Sequence, residues 1–277
     1  MGPVMKTLLA DYTSDELRPI VANSTLVLPL GATEQHGPHL SLATDATLAE
    51  YVARTAAAQV STSSQPVLVA PTLNVGASDH HLPRSGTLSV SGRTYLAVLI
   101  DVVESAVRGG FRRMILLNGH GGNEDLARQA AREVTLEHPV IVAATGYWTL
   151  AWERLAALGA DHGLGPVPGH AGAFEASLLL HVRPEQVNLA RADDAAAGPT
   201  VDAHPLAAPW VETHGWVEAI DGHHDGVSRA TPDIGAEALD HVVAAATTFF
   251  RDIAARTPPA PVPGAGRRNR PDTEVAR

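Results

Sequence analysis

No cysteine occurs in the 277 residues, which excludes disulfides, thiolate metal sites, cysteine nucleophiles and iron–sulfur clusters. No apolar run approaches the ~20 residues of a membrane-spanning helix, and the N-terminus lacks the basic-then-apolar layout of a secretory signal. A cytoplasmic protein with no membrane partner is therefore expected. Basic residues are in short supply: 20 Lys and Arg stand against 30 Asp and Glu, a formal net charge of −10. No positive footprint for phosphate is in sight, which argues against nucleic acid as a general partner. Charged residues make up 18% and hydrophobic residues 45%, a globular composition. A chain of this length can bury roughly 75% of its unfolded surface. What is plentiful is histidine. Fourteen of them in a cysteine-free, acidic chain point first to metal chemistry with nitrogen and oxygen donors.

Short apolar runs at Thr25–Leu30, Val67–Pro71, Arg113–Leu117 and Val140–Ala144 read as buried strands. Helical spacing falls between them. Ser14–Leu17 opens a short helix, Thr44 and Asp45 can cap one running past Ala56, and Gly92–Arg108 is closed by Gly109-Gly110. Glu124–Glu137, an apolar helix Ala176–Leu180 and a last helix Ala236–Arg256 complete the pattern. Strands alternating with helices predict a three-layer α/β/α fold on a mostly parallel sheet. Its site is expected beyond the carboxyl ends of the strands. Residues 1–256 read as one domain and 257–277, rich in Pro and Arg, as a disordered tail. The stretch 190–232 reads as an irregular excursion near the site or an interface.

The polar loops after the strands hold the chemistry. Glu34 and His36 follow the first strand and point to the same side of an extended backbone. Asp45, nine residues beyond His36, could bridge two cations with its two oxygens. On the plainer reading Asp45 only supports a helix N-terminus and Glu34 sits in solvent. His120 lies in Asn118-Gly119-His120-Gly121-Gly122-Asn123, directly after an apolar strand. Glycines there could cradle a phosphate, but the spacing matches no nucleotide fingerprint and no Lys follows. A histidine simply packed in a tight turn is the other reading. Gly169-His170-Ala171-Gly172-Ala173-Phe174-Glu175 places His170 in a loop and Glu175 near a helix start, which taken alone suits a cap as well as a ligand pair. Together these residues make a set of three carboxylates and two imidazoles, with His170 beside it. That set suits Zn, Mn or Fe.

The run Leu28 to Leu40 with Thr44-Asp45 resembles the signature of the creatininase (creatinine amidohydrolase) family. Ser85-Gly86-Thr87-Leu88-Ser89, Asn118–Asn123 and Gly169–Glu175 match its later motifs in the same order. The resemblance implies an α/β/α fold, a site for two divalent metal ions and a homohexamer built as a trimer of dimers. Carried over by position, it implies Glu34, His36, Asp45, His120 and Glu175 as metal ligands, with Asp45 bridging, and His170 as the proton-transferring histidine. Ser78 and His81 stand where the family has a Ser and a His, and His80 is the less favoured of the adjacent pair. One departure matters: creatininase proper has Tyr-Glu where this chain has Gly121-Gly122. That change removes the carboxylate expected for creatinine turnover. It joins the chain to a larger group that includes a formamidopyrimidine deformylase and the peptidase of the mycofactocin precursor. Gly226-Val227-Ser228 also lacks the Gly-Asp-Pro that follows in the family.

The expected activity is metal-dependent hydrolysis of a cyclic amide, a formamide or another non-peptide C–N bond of a small molecule. A mycofactocin-type peptidase is the alternative within the enzyme class. An inactive metal-binding or scaffolding homologue is the alternative outside it. Gly121, Gly122 and Asn123 are expected near substrate, and His39 could hydrogen-bond a ligand carboxylate. His138, His181 and His241 read as structural or surface residues. His223 and His224, flanked by Asp221 and Asp225, could reach the site or remain solvated. Trp148 and Trp152 follow the fourth strand, where they could form an aromatic wall or simply core.

Overall fold

The computed structural model describes residues 6–192, 214–224 and 226–262. Four parallel strands, β1 (Thr25–Leu30), β2 (Val67–Val69), β3 (Arg113–Asn118) and β4 (Ile141–Gly146), form one sheet in the order β2-β1-β3-β4. Thr25 stands opposite both Val67 and Arg113, and Arg113 opposite Ile141. Pro29 is tolerated in a central strand because its nitrogen falls on the β2 side beyond Val69, where that short strand has ended. The neighbouring donors on the same side, Thr25 and Gly31, bond to Pro66 and Leu73.

Eight α-helices accompany the sheet among the described residues: α1 (Ser14–Leu17), α2 (Thr44–Val60), α3 (Gly92–Arg108), α4 (Glu124–Glu137), α5 (Trp152–His162), α6 (Ala173–Val182), α7 (Trp216–Ala219) and α8 (Pro232–Ala255). Strand alternation divides the core in two. Val27, Ile115 and Leu117 face a cluster built with Leu48 and Val52 of α2, Phe174 and Leu178 of α6, and Leu239 and Phe250 of α8. Leu26, Leu28, Met114 and Leu116 face the opposite way, onto Leu99 and Val103 of α3 and Ala127 and Val134 of α4. Helices on both faces of a parallel sheet make the expected three layers.

Several boundaries differ from the sequence reading. Helix α2 takes Ala43 as its N-cap, so Thr44 and Asp45 lie inside the first turn and neither caps it. Helix α6 starts at Ala173 rather than Ala176. Helix α8 starts at Pro232, where the Thr231 side chain accepts from the amide of Ile234. Strand β4 ends at Gly146, two residues beyond the expected Ala144, and α5 is a helix that the sequence pattern leaves unassigned. Of the 190–232 excursion, residues 193–213 and Asp225 lie outside the described residues, as do 263–277 of the expected tail.

Candidate metal-binding active site

The loops after β1, β2 and β3 leave the carboxyl edge of the sheet, where such folds place their ligands, and the segment between α5 and α6 meets them there. Glu34 and His36 follow β1, Asp45 is the second residue of α2, His120 follows β3, and Glu175 is the third residue of α6. Close backbone contact explains the placement of Asp45. A Cβ on Gly31 would meet Ala46 Cα at 2.4 Å, and one on Gly119 would meet the Asp45 carbonyl at 2.6 Å. Only glycine at both strand ends lets the first turn of α2 settle between them.

The side chains converge in the interior; Glu34, His36, Asp45, His120, His170 and Glu175 are all buried. Asp45 stands between two imidazoles, with Oδ1 3.0 Å from His36 Nε2 and Oδ2 3.2 Å from His120 Nδ1. Glu175 Oε2 lies 3.8 Å from His36 Nε2, and Glu34 Oε1 lies 3.3 Å from His120 Nδ1. Two potential metal triads result, Glu34/Asp45/His120 and His36/Asp45/Glu175, each with ligand atoms within 4.8 Å of one another. Glu34/His36/His170 and Glu34/His80/His81 meet the same distance limit. Glu34 Oε2 is buried without a hydrogen-bond partner, and Asp45 Oδ2, also buried, makes no well-aligned hydrogen bond and has only the His120 ring nitrogen beside it. Leaving a buried carboxylate oxygen unpaired is costly, and a cation would satisfy both. The donor set thus fits divalent metal ions.

The electrostatics follow from crowding carboxylates and imidazoles in the interior. Burial works against charge on His36, but Asp45, Glu175 and Glu34 prevail and raise it to about 10. His120 is likewise held well above the usual imidazole value, with Glu34 and Asp45 overcoming burial. Burial pushes Glu34 up, yet His120 and His81 hold it well below the usual carboxylate value. Burial lifts Glu175 to about 7, against the pull of His36. Burial, reinforced by His36 and His81, keeps His170 well below the ordinary value.

The other expected residues sort by contact. Ser78 Oγ lies 3.2 Å from His120 Nε2, and His81 Nε2 lies 3.2 Å from Glu34 Oε1. His80 is also close, its ring stacked 5.7 Å from that of His120. His39 does not reach a carboxylate. Its Nε2 lies 3.0 Å from the carbonyl of Ala171, whose amide in turn donates to Glu175 Oε2 at 2.6 Å. Ala171 adopts φ 49°, a conformation rare for a residue with a side chain, and these two bonds hold it. Asn123 acts as a strut between two loops. It accepts from the amide of Ala77 and donates to the carbonyl of Gly31, both at 3.0 Å. Gly121 faces open space, whereas Gly122 is tightly enclosed. Trp148 lines a cavity of about 70 Å³ with Glu34, Asp45, His120, His170 and Glu175, while Trp152 packs on the core.

The excursion does reach the site. His224 accepts from the His170 amide at 2.8 Å and donates its own amide to the His170 carbonyl at 2.9 Å. The His223 ring meets His39 edge-on at 5.2 Å, and Trp216 lies within 6.5 Å of the rings of His80, His81 and His170. Trp216 carries no signal in the sequence, because nothing local links it to His170 or to His80 and His81, the last two more than a hundred residues earlier.

A buried cluster of carboxylates and imidazoles at the carboxyl edge of an α/β/α sheet, with donors that fit divalent metal ions, defines a class of hydrolases. Within that class the chain belongs to the creatininase family: the family model described as creatinine amidohydrolase matches residues 10–250. The mycofactocin precursor peptide peptidase of Mycobacterium tuberculosis is 36% identical over 193 residues, 66% of this chain and 67% of that protein. Creatinine amidohydrolase of Pseudomonas putida is 31% identical over 209 residues, 69% and 77% of the two chains. A creatininase variant of zinc–zinc type superposes with a TM-score of 0.71 at 25% identity, covering 91% of this chain and all of the other. No helix among the described residues is long and apolar enough to cross a membrane.

Proposed function

We propose that this chain is a metal-dependent amidohydrolase that cleaves a C–N bond in a small amide, with Glu34, His36, Asp45, His120 and Glu175 holding two divalent cations. The observation that carries the reading is Asp45, whose two oxygens turn to two different imidazoles in two different triads. Zn, Mn and Fe all suit such donors. Cations held there would supply Lewis acidity, lowering the pKa of a water and polarising a carbonyl. In the net reaction the carbonyl carbon gains hydroxyl and the departing nitrogen gains hydrogen. His170 lines the cavity and is assigned the proton that the nitrogen takes. Trp148 closes the inner wall and excludes water from that side.

A second reading places the scissile bond in a short modified peptide. The named mycofactocin peptidase favours it, with identity above that of the creatinine enzyme. Chelator-stripped protein, reloaded with Mn²⁺ or Zn²⁺ and offered cyclic amides, formamides and short peptides, tests both. Activity that returns with metal on the first two groups supports the primary reading, and on peptides alone the second. Absence of metal uptake would overturn both.

A further inference from the structure

Besides His80, four imidazoles closely surround the carboxylates Glu34 and Asp45, yet the proposed ligand set uses two of them. The group behind each ring separates them. His36 turns Nδ1 to the Glu34 carbonyl, and His120 turns Nε2 to the Ala77 carbonyl, each at 3.2 Å. A carbonyl only accepts, so in each neutral ring the outward nitrogen carries the hydrogen. The inward nitrogen, Nε2 of His36 or Nδ1 of His120, keeps a lone pair for a cation.

His81 and His170 are backed by the opposite kind of group. Gln35 Nε2 lies 2.9 Å from His81 Nδ1 and 2.9 Å from His170 Nε2. The orientation of that carboxamide is fixed at its other end. Gln35 Oε1 accepts from the backbone amide of Gly37 at 3.1 Å, and a backbone N–H can only donate. The NH₂ end must therefore face the two rings, and a ring nitrogen facing N–H must offer its lone pair. Each ring then carries its hydrogen on the inward nitrogen. His81 Nε2 lies 3.2 Å, and His170 Nδ1 3.8 Å, from Glu34 Oε1.

We propose that Gln35 is the positioning residue that keeps His81 and His170 out of the ligand set and leaves each with an N–H aimed at Glu34. The inference rests on the metal-centre reading above. Four triads bring their ligand atoms close enough together to hold a metal ion. The Gln35 lock removes the two that contain His81 or His170 and leaves the two that share Asp45. It also sets the starting state of the reaction. His170 begins with its hydrogen on Nδ1, gives it to the departing nitrogen, and regains one at the same atom from the attacking water.

Imidazole ¹⁵N NMR of the metal-free protein tests the lock directly. Wild type is expected to show the Nε2–H form at His81 and the Nδ1–H form at His170. In Gln35→Glu the carboxylate accepts from both rings, so both forms should invert. Titration of that variant with Zn²⁺ should then reach one equivalent more than wild type. Gln35→Met, with neither donor nor acceptor, should populate both forms of each ring. The opposite forms in wild type would overturn the proposal even if Gln35→Glu fails to fold. Unchanged zinc stoichiometry in an inverted Gln35→Glu would overturn it as well. A wild type that takes up no zinc overturns the metal-centre reading instead, and is distinguishable because the NMR readout needs no metal.

Discussion

The carbonyl oxygen of Ala77 lies 2.3 Å from where a Cβ on Gly122 would stand. The same Cβ would come within 2.6 Å of His120 Nε2, the atom that binds that carbonyl. Residue 122 is thus glycine because the loop after β3 closes on the loop before Asp79. Gly122→Ala should cost about 1–3 kcal/mol through overpacking and weaken metal retention by displacing His120. Gly121→Ala, which meets nothing within 4 Å, should stay within about 0.5 kcal/mol of wild type. Thermal unfolding and metal analysis of the pair check this. Equal stability of the two variants would show that the loop yields.

Creatinine should be a poor substrate. The Tyr-Glu pair of creatininase proper is replaced by Gly121-Gly122, and the enclosure of residue 122 leaves no room for a carboxylate in the present loop. A steady-state assay with metal-loaded protein decides the matter. A kcat near the enzyme median of about 10 s⁻¹ would sink the argument.

His170→Ala and Asp45→Ala should fail in different ways. Without His170 the cations keep all five proposed ligands, so metal content should match wild type while kcat drops by roughly 10²–10⁴-fold. Without Asp45 both triads lose a member, so occupancy itself should fall. Elemental analysis beside kinetics separates these outcomes. An empty site in His170→Ala together with a full one in Glu175→Ala would reverse the assigned roles.

Metal uptake should release protons, and more of them at lower pH. His36 is raised to about 10 in the metal-free protein, so it is protonated at pH 8, and Glu34 and Asp45 hold His120 well above its ordinary value. Coordination needs the lone pairs of both rings, so at least the proton on His36 should leave at pH 8. Glu175 is raised to about 7, so it is largely ionised at pH 8 and largely protonated at pH 6. The count should therefore rise by about one between pH 8 and pH 6. Calorimetric titration with Zn²⁺ in buffers of differing ionisation enthalpy gives the number directly. Release that is absent, or that falls toward pH 6, would contradict the assigned ligands.

Local pattern by itself determined the architecture and the position of the chemistry. The apolar runs at 25–30 and 113–117, each leading into a polar loop, fix parallel strands whose carboxyl ends carry Glu34, His36 and His120. The alternation within those runs fixes which side chains face each helical layer. Helices 92–108 and 124–137 were legible to the residue, because Gly109-Gly110 and the amphipathic spacing are local signals. Tertiary structure alone decided what each polar atom meets. Alternation places Gln35 on the strand side opposite Glu34 and His36, yet it bonds to rings 46 and 135 residues away. His39 finds a carbonyl 132 residues on rather than a carboxylate, and His224 reaches His170 across 54 residues. Helix and strand periods report on neighbours along the chain, whereas a hydrogen bond depends on atoms meeting within about 3.5 Å. Only the closed sheet edge, with Asp45 drawn between Gly31 and Gly119, brings those atoms together.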